Sequence, residues 1–128
     1  NYIGLLEDEK TMWDKLRTAV TDVKRVRRAD PGNPEDCNIY TIHRAFSDNQ
    51  ILLEVDKGCR SAGIGCIDCK KMLFKNLSAE LAPIRERAFA LMNDQGYVID
   101  ALREGALRCR TIAQETMKEV HTSLGLFE

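Results

Sequence analysis

The chain has 128 residues, 44% of them apolar and 30% charged, with a formal net charge of −1, which fits one globular domain with one core and excludes a disordered or two-domain polypeptide. No apolar run approaches the roughly 20 residues that cross a bilayer, and no basic-then-apolar leader opens the chain, so the expectation is a cytoplasmic protein with no membrane partner. The first residue is Asn1 rather than Met, as expected of a segment cut from a longer protein.

Helical periodicity dominates. Asp8 is suited to cap a short amphipathic helix whose apolar positions are Met12, Trp13, Leu16, Ala19 and Val20. The pattern stops from Thr21 to Asp36, where Pro31-Gly32-Asn33-Pro34 is loop chemistry. Asn38 is expected to cap a second helix carrying Ile39, Ile42 and Phe46. Ser47, with Gln50 three residues on, fits a capping box for a third helix from Ile51 to Lys57, ended by Gly58. Gly63 and Gly65 make the stretch between Cys59 and Cys69 a tight loop. Asp68 then reads as the cap of a long helix reaching about Asn93, which Pro83 should kink or divide.

From Tyr97 to Leu124, one stripe runs through Val98, Leu102, Ala106, Cys109, Ile112, Met117, Val120 and Leu124, a helix of about 40 Å closed by Gly125. Nothing alternates with period two for long enough to build a sheet. The predicted fold is all-α, a helical bundle with a cysteine-bearing loop excursion.

Although the net charge is near zero, the cations are clustered. Lys24, Arg25, Arg27 and Arg28 fall within five residues, and Arg60, Lys70, Lys71 and Lys75 form a second group. These are either solvated faces or a local phosphate-binding surface.

Four cysteines, Cys37, Cys59, Cys66 and Cys69, are spaced C-x21-C-x6-C-x2-C. A C-x-x-C pair after glycines brings two thiolates to one ion. Antiparallel folding of the second and third helices would return Cys37 and Cys59 to that end. The set suits zinc or an iron–sulfur cluster. Cys109 lies on the apolar stripe, where a cysteine is ordinarily a small core hydrophobe. His43 and His121 have no nucleophile motif beside them, so packing or surface roles are expected and no catalytic residue is assigned.

Several stretches, in order, resemble the bacterial tryptophanyl-tRNA synthetases. Ile3-Gly4-Leu5-Leu6-Glu7-Asp8 and the helix to Thr21-Asp22 look like the segment beyond that family's Lys-Met-Ser-Lys-Ser loop. Pro31-Gly32-Asn33-Pro34 to Cys37, then Ile39-Tyr40-Thr41-Ile42-His43, looks like the next part of such a synthetase. Ala62-Gly63-Ile64-Gly65-Cys66-Ile67-Asp68-Cys69-Lys70 is similar to the iron–sulfur variant, and Leu81-Ala82-Pro83-Ile84-Arg85-Glu86-Arg87 and the run to Leu124-Gly125-Leu126 look like the family's carboxy-terminal end.

The resemblance implies that residues 1–128 are the carboxy-terminal helical anticodon-binding region of an ATP-dependent tryptophan–tRNA ligase, with 33–71 a metal-binding insert. It implies a four-iron–four-sulfur cluster on Cys37, Cys59, Cys66 and Cys69, with zinc the alternative. The implied partners are tRNA(Trp) and the catalytic domain of the same enzyme, a homodimer, where ATP, Mg and tryptophan would bind. Neither a His-Ile-Gly-His nor a Lys-Met-Ser-Lys-Ser signature occurs here, so this chain alone is expected to be inactive. Arg25, Arg27, Arg28, Arg60, Lys70 and Lys71 would border the anticodon loop. The competing reading is an iron–sulfur or zinc module, redox-active or structural, that regulates a partner.

Overall fold

The computed structural model describes residues 2–126, and these form five α-helices with no strand among them. They fall into two units, Asn1–Glu86 and Arg87–Glu128.

In the first unit, helix α1 (Glu9–Thr18) starts as expected. Asp8 accepts from the Thr11 amide at 2.9 Å and from its hydroxyl at 2.7 Å, satisfying an amide that the helix leaves without a partner. Met12 and Leu16, one turn apart, are buried. The next loop is gathered by the buried Asp22, which accepts from the Lys24 amide at 2.9 Å and the Asn33 amide at 2.8 Å. A 3-10 turn, Pro34–Asp36, then delivers the chain into α2 (Asn38–Phe46).

Two caps differ from expectation. Cys37, not Asn38, occupies the cap position of α2, and its side chain makes no capping bond because it is buried against the core. Asp48, not Ser47, caps α3 (Asn49–Arg60), accepting from the Ile51 amide at 2.8 Å. The Ser47 hydroxyl is engaged elsewhere, 2.7 Å from His43 Nδ1 and accepting from Asn76 Nδ2 at 2.8 Å.

Gly58 lies inside α3 rather than ending it. A Cβ there would meet Ile64 Cγ2 at 2.9 Å, so the glycine admits the returning chain. Helix α3 ends instead where Ala62 takes a positive φ of 56°. The loop is therefore shorter than expected, because α4 (Cys66–Asn93) begins at Cys66 and takes Asp68 into its first turn. Helix α4 is not divided at Pro83. Leu81 and Arg85, both buried, anchor it on either side of the proline, and packing of this kind outweighs one lost backbone bond.

The core of this unit joins Met12 and Leu16 of α1, Ile39 of α2, and Leu73, Leu77 and Leu81 of α4. Each fully buried leucine contributes roughly 1.5–3 kcal/mol. Arg85, itself buried, donates to the Glu7 carbonyl at 2.9 Å and ties α4 to the segment before α1.

The second unit contains the end of α4 and helix α5 (Gln95–Leu124). Asp94 caps α5 through the Tyr97 amide at 3.1 Å, and Gly125 closes it in the left-handed conformation, φ 66°. The glycine end matches the sequence pattern. The apolar stripe is not buried, however: α5 has no buried residue, and Cys109 is exposed rather than a core hydrophobe. The stripe has the expected period but is not buried within its own unit.

Candidate metal centre and basic face

The four spaced cysteines all lie in the first unit. Cys37 stands at the start of α2, Cys59 in the last turn of α3, and Cys66 and Cys69 in the first turn of α4. The loop of 31–34 closes on them. The Gly32 amide donates to the Cys59 carbonyl at 3.0 Å, and a Cβ on Gly32 would fall 2.6 Å from Cys59 Sγ, so only glycine fits this approach. Thr21 Oγ1 lies 3.8 Å from Cys66 Sγ, and Arg25 Nη1 lies 3.9 Å from Cys59 Sγ.

All five cysteines are free thiols. Burial pushes the Cys69 thiol up to about 12, and the nearby Cys37, Cys59 and Cys66 sulfurs add to the rise. Burial also raises Cys59, against the opposing pull of the Arg25 guanidinium. Among the described residues, no three His, Cys, Asp or Glu side chains close on one point as the ligands of a single ion would.

His43 is fully buried against this centre. Its Nε2 is 3.1 Å from the Cys69 carbonyl and 3.6 Å from Cys69 Sγ, and burial lowers its pKa. It packs and orients the first turn of α4, in keeping with the packing role expected for it.

The six cations proposed for RNA divide sharply. Arg27, Arg28, Arg60 and Lys71 are exposed. Arg28 approaches Asp68 at 3.7 Å and Lys71 approaches it at 3.9 Å, while Arg60 pairs with Asp56 at 3.1 Å and Glu35 at 3.6 Å. Exposed pairs of this kind contribute little to stability.

Arg25 and Lys70 are buried. Arg25 Nη2 donates to the Ile64 carbonyl at 2.7 Å and the Arg28 carbonyl at 2.9 Å. Lys70 Nζ donates to the carbonyls of Ala19 at 2.6 Å and Arg17 at 2.9 Å. Both side chains hold protein backbone. Their neighbours in sequence face solvent, a distinction that charge clustering does not carry.

A depression of about 410 Å³ lies beside the first basic segment, lined by Thr21, Arg25, Arg27, Arg28, Cys66 and Asp68 among others. Val23 and Val26 stand 77% and 84% exposed beside these arginines. Sequence reasoning missed them. Their signal was an apolar pair inside a basic segment that has no helical period to bury it.

The all-α arrangement of five helices matches the carboxy-terminal helical domain of bacterial tryptophanyl-tRNA synthetases. The tryptophanyl-tRNA synthetase of Campylobacter jejuni, crystallised with ADP and tryptophan, superposes with a TM-score of 0.88 at 29% identity, over 98% of this chain and 39% of that one. The tryptophan–tRNA ligase of Deinococcus radiodurans is 49% identical over 128 residues, all of this chain, and that of Thermotoga maritima is 42% identical over 127 residues. No family model matches. The chain is homologous to the carboxy-terminal part of tryptophan–tRNA ligase, and it spans about 39% of the length of these relatives.

Proposed function

We propose that this chain is the anticodon-binding part of a tryptophan–tRNA ligase and grips tRNA(Trp) through the surface beside its four cysteines. The observation that carries the reading is the conjunction of similarity along this whole chain to part of such ligases, 49% in one case, with exposed Arg27 and Arg28 lining the Cys66 depression. The lysine and arginines neutralise phosphates, and an arginine plane can also stack on or pair with an unstacked base. Val23 and Val26 add apolar surface for the base faces. Activation of tryptophan with ATP and Mg belongs to the remainder of the enzyme, in a cytoplasmic homodimer.

Residues 33–71 serve, in this reading, as a metal-binding insert with Cys37, Cys59, Cys66 and Cys69 as ligands of a four-iron–four-sulfur cluster. What supports it is the donor type, four free cysteines carried at the ends of α2, α3 and α4. Zinc, held by the same four sulfurs, is the alternative. A bound cluster would supply folding free energy here and fix the loop that presents Arg27 and Arg28.

Two measurements test the proposal. Anaerobically purified protein should be brown with stoichiometric iron, whereas a colourless zinc protein refutes the cluster. Titration with tRNA(Trp) and an anticodon-substituted tRNA should show tighter binding of the first, and equal affinities would remove anticodon reading.

A further inference from the structure

A second depression, of about 400 Å³, is lined by Glu9, Lys10, Trp13, Lys71 and Phe74. Its floor is an aromatic pair: the Trp13 and Phe74 rings stand 5.5 Å apart at 62°, edge to face. Both are half-buried, packed inward on the core and open outward. They are therefore held in place before anything binds, so a ligand stacking there meets little ordering cost.

The rim is cationic. Lys10 and Lys71 are exposed. Glu9 is the one acid in the lining, and its Oε1 accepts from Ser78 Oγ and lies 3.5 Å from Arg85 Nη2, so its charge is balanced from within the protein. Lys10 makes no ion pair among the described residues, and Lys71 reaches Asp68 only at 3.9 Å.

A rigid aromatic face bordered by two point cations is the pairing that single-stranded nucleic acid recognises, the base stacking and its phosphates finding ammonium groups. Lys71 also stands two residues beyond Cys69 on α4, so it adjoins both this depression and the cysteine-side surface.

We propose that the Trp13–Phe74 depression is a base-stacking subsite for single-stranded RNA, with Lys10 and Lys71 holding the flanking phosphates. It rests on the RNA-binding reading above and extends it to a contact on α1, tolerant of base identity because every base has a π face.

Trp13 is the single tryptophan of the chain, so its emission reports on this site. The full chain is titrated with a short single-stranded oligoadenylate while Trp13 emission and the anisotropy of the same RNA, labelled, are followed together. A saturable quench with the anisotropy midpoint is expected. Joint replacement Lys10→Gln and Lys71→Gln should flatten the dependence of log affinity on log salt by roughly 0.7 per lysine. Phe74→Leu should weaken binding about fivefold or more; the lysine pair, being exposed, keeps the test open if that variant misfolds.

Binding by anisotropy with unchanged Trp13 emission overturns the subsite and leaves RNA binding elsewhere intact. No binding by either signal overturns both. Quenching by an acidic apolar peptide but not by RNA overturns the subsite in favour of a protein partner.

Discussion

Lys70 Nζ on α4 lies 2.6 Å from the carbonyl oxygen of Ala19, just past the end of α1, and 2.9 Å from that of Arg17. An ammonium group therefore closes the end of α1, where carbonyls lack helical partners and the helix dipole is negative. The adjacent residue is Cys69, so the turn that bears the cysteine pair is also the clasp on α1.

Lys70→Ala should lower stability by roughly 1.5–3 kcal/mol, because two carbonyls at the end of α1 lose a charged donor. Lys71→Ala should stay within about 0.5 kcal/mol of the parent but flatten the salt dependence of RNA binding by roughly 0.7. Urea unfolding and salt-dependent titration separate the two. If both variants unfold at the same midpoint, the clasp is not a stabilising contact.

Arg25 holds two carbonyls with one nitrogen while another points at Cys59, a geometry that the planar guanidinium fork offers and an ammonium does not. Arg25→Lys should therefore cost about 1–3 kcal/mol despite keeping the charge, and should loosen the loop that carries Arg27 and Arg28. Thermal unfolding and tRNA affinity report on these respectively. Retention of parental stability by the lysine variant would contradict the assignment.

Replacing Cys37, Cys59, Cys66 or Cys69 by Ser should each remove bound iron, measured by colour and metal analysis. Cys109→Ser should leave iron unchanged and shift stability by no more than about 0.5 kcal/mol, because the side chain is exposed. Cys109 should also be the first thiol alkylated in the metal-free protein and Cys69 among the last, since burial holds the Cys69 proton in place. An iron content lowered by Cys109→Ser would redraw the ligand set.

Asp22 is held below the ordinary carboxylate value of 3.8, first by the Asn33 amide and then by the Lys24 amide. A depressed folded pKa favours the native state above the unfolded value, and that contribution is lost as pH falls through the folded one. Asp22→Asn should therefore lower Tm at neutral pH, and the gap from the parent should narrow below pH 3.8. Tm measured from neutral to strongly acid pH checks this; a gap that stays constant through the acid range would argue against it.

Helix positions were legible in the residues because caps and periods are local. Asp8, the Met12–Leu16 spacing of α1 and the closing Gly125 act within a turn or two of themselves and appear where the pattern puts them, whereas Ala19 and Val20, expected on the same stripe, fall past the end of α1 at Thr18. Only the tertiary structure decided which cation of an adjacent pair points inward. Lys70 and Lys71 are chemically identical, but a helix turns about 100° per residue, so one meets the end of α1 and the other meets water. It also decided between Ser47 and Asp48 as a cap, because a hydroxyl engaged by His43 and Asn76 from distant parts of the chain is no longer free to close the helix beside it. The exposed stripe of α5 marks the same boundary: period shows that a face is apolar, but burial depends on whether another surface comes to cover it.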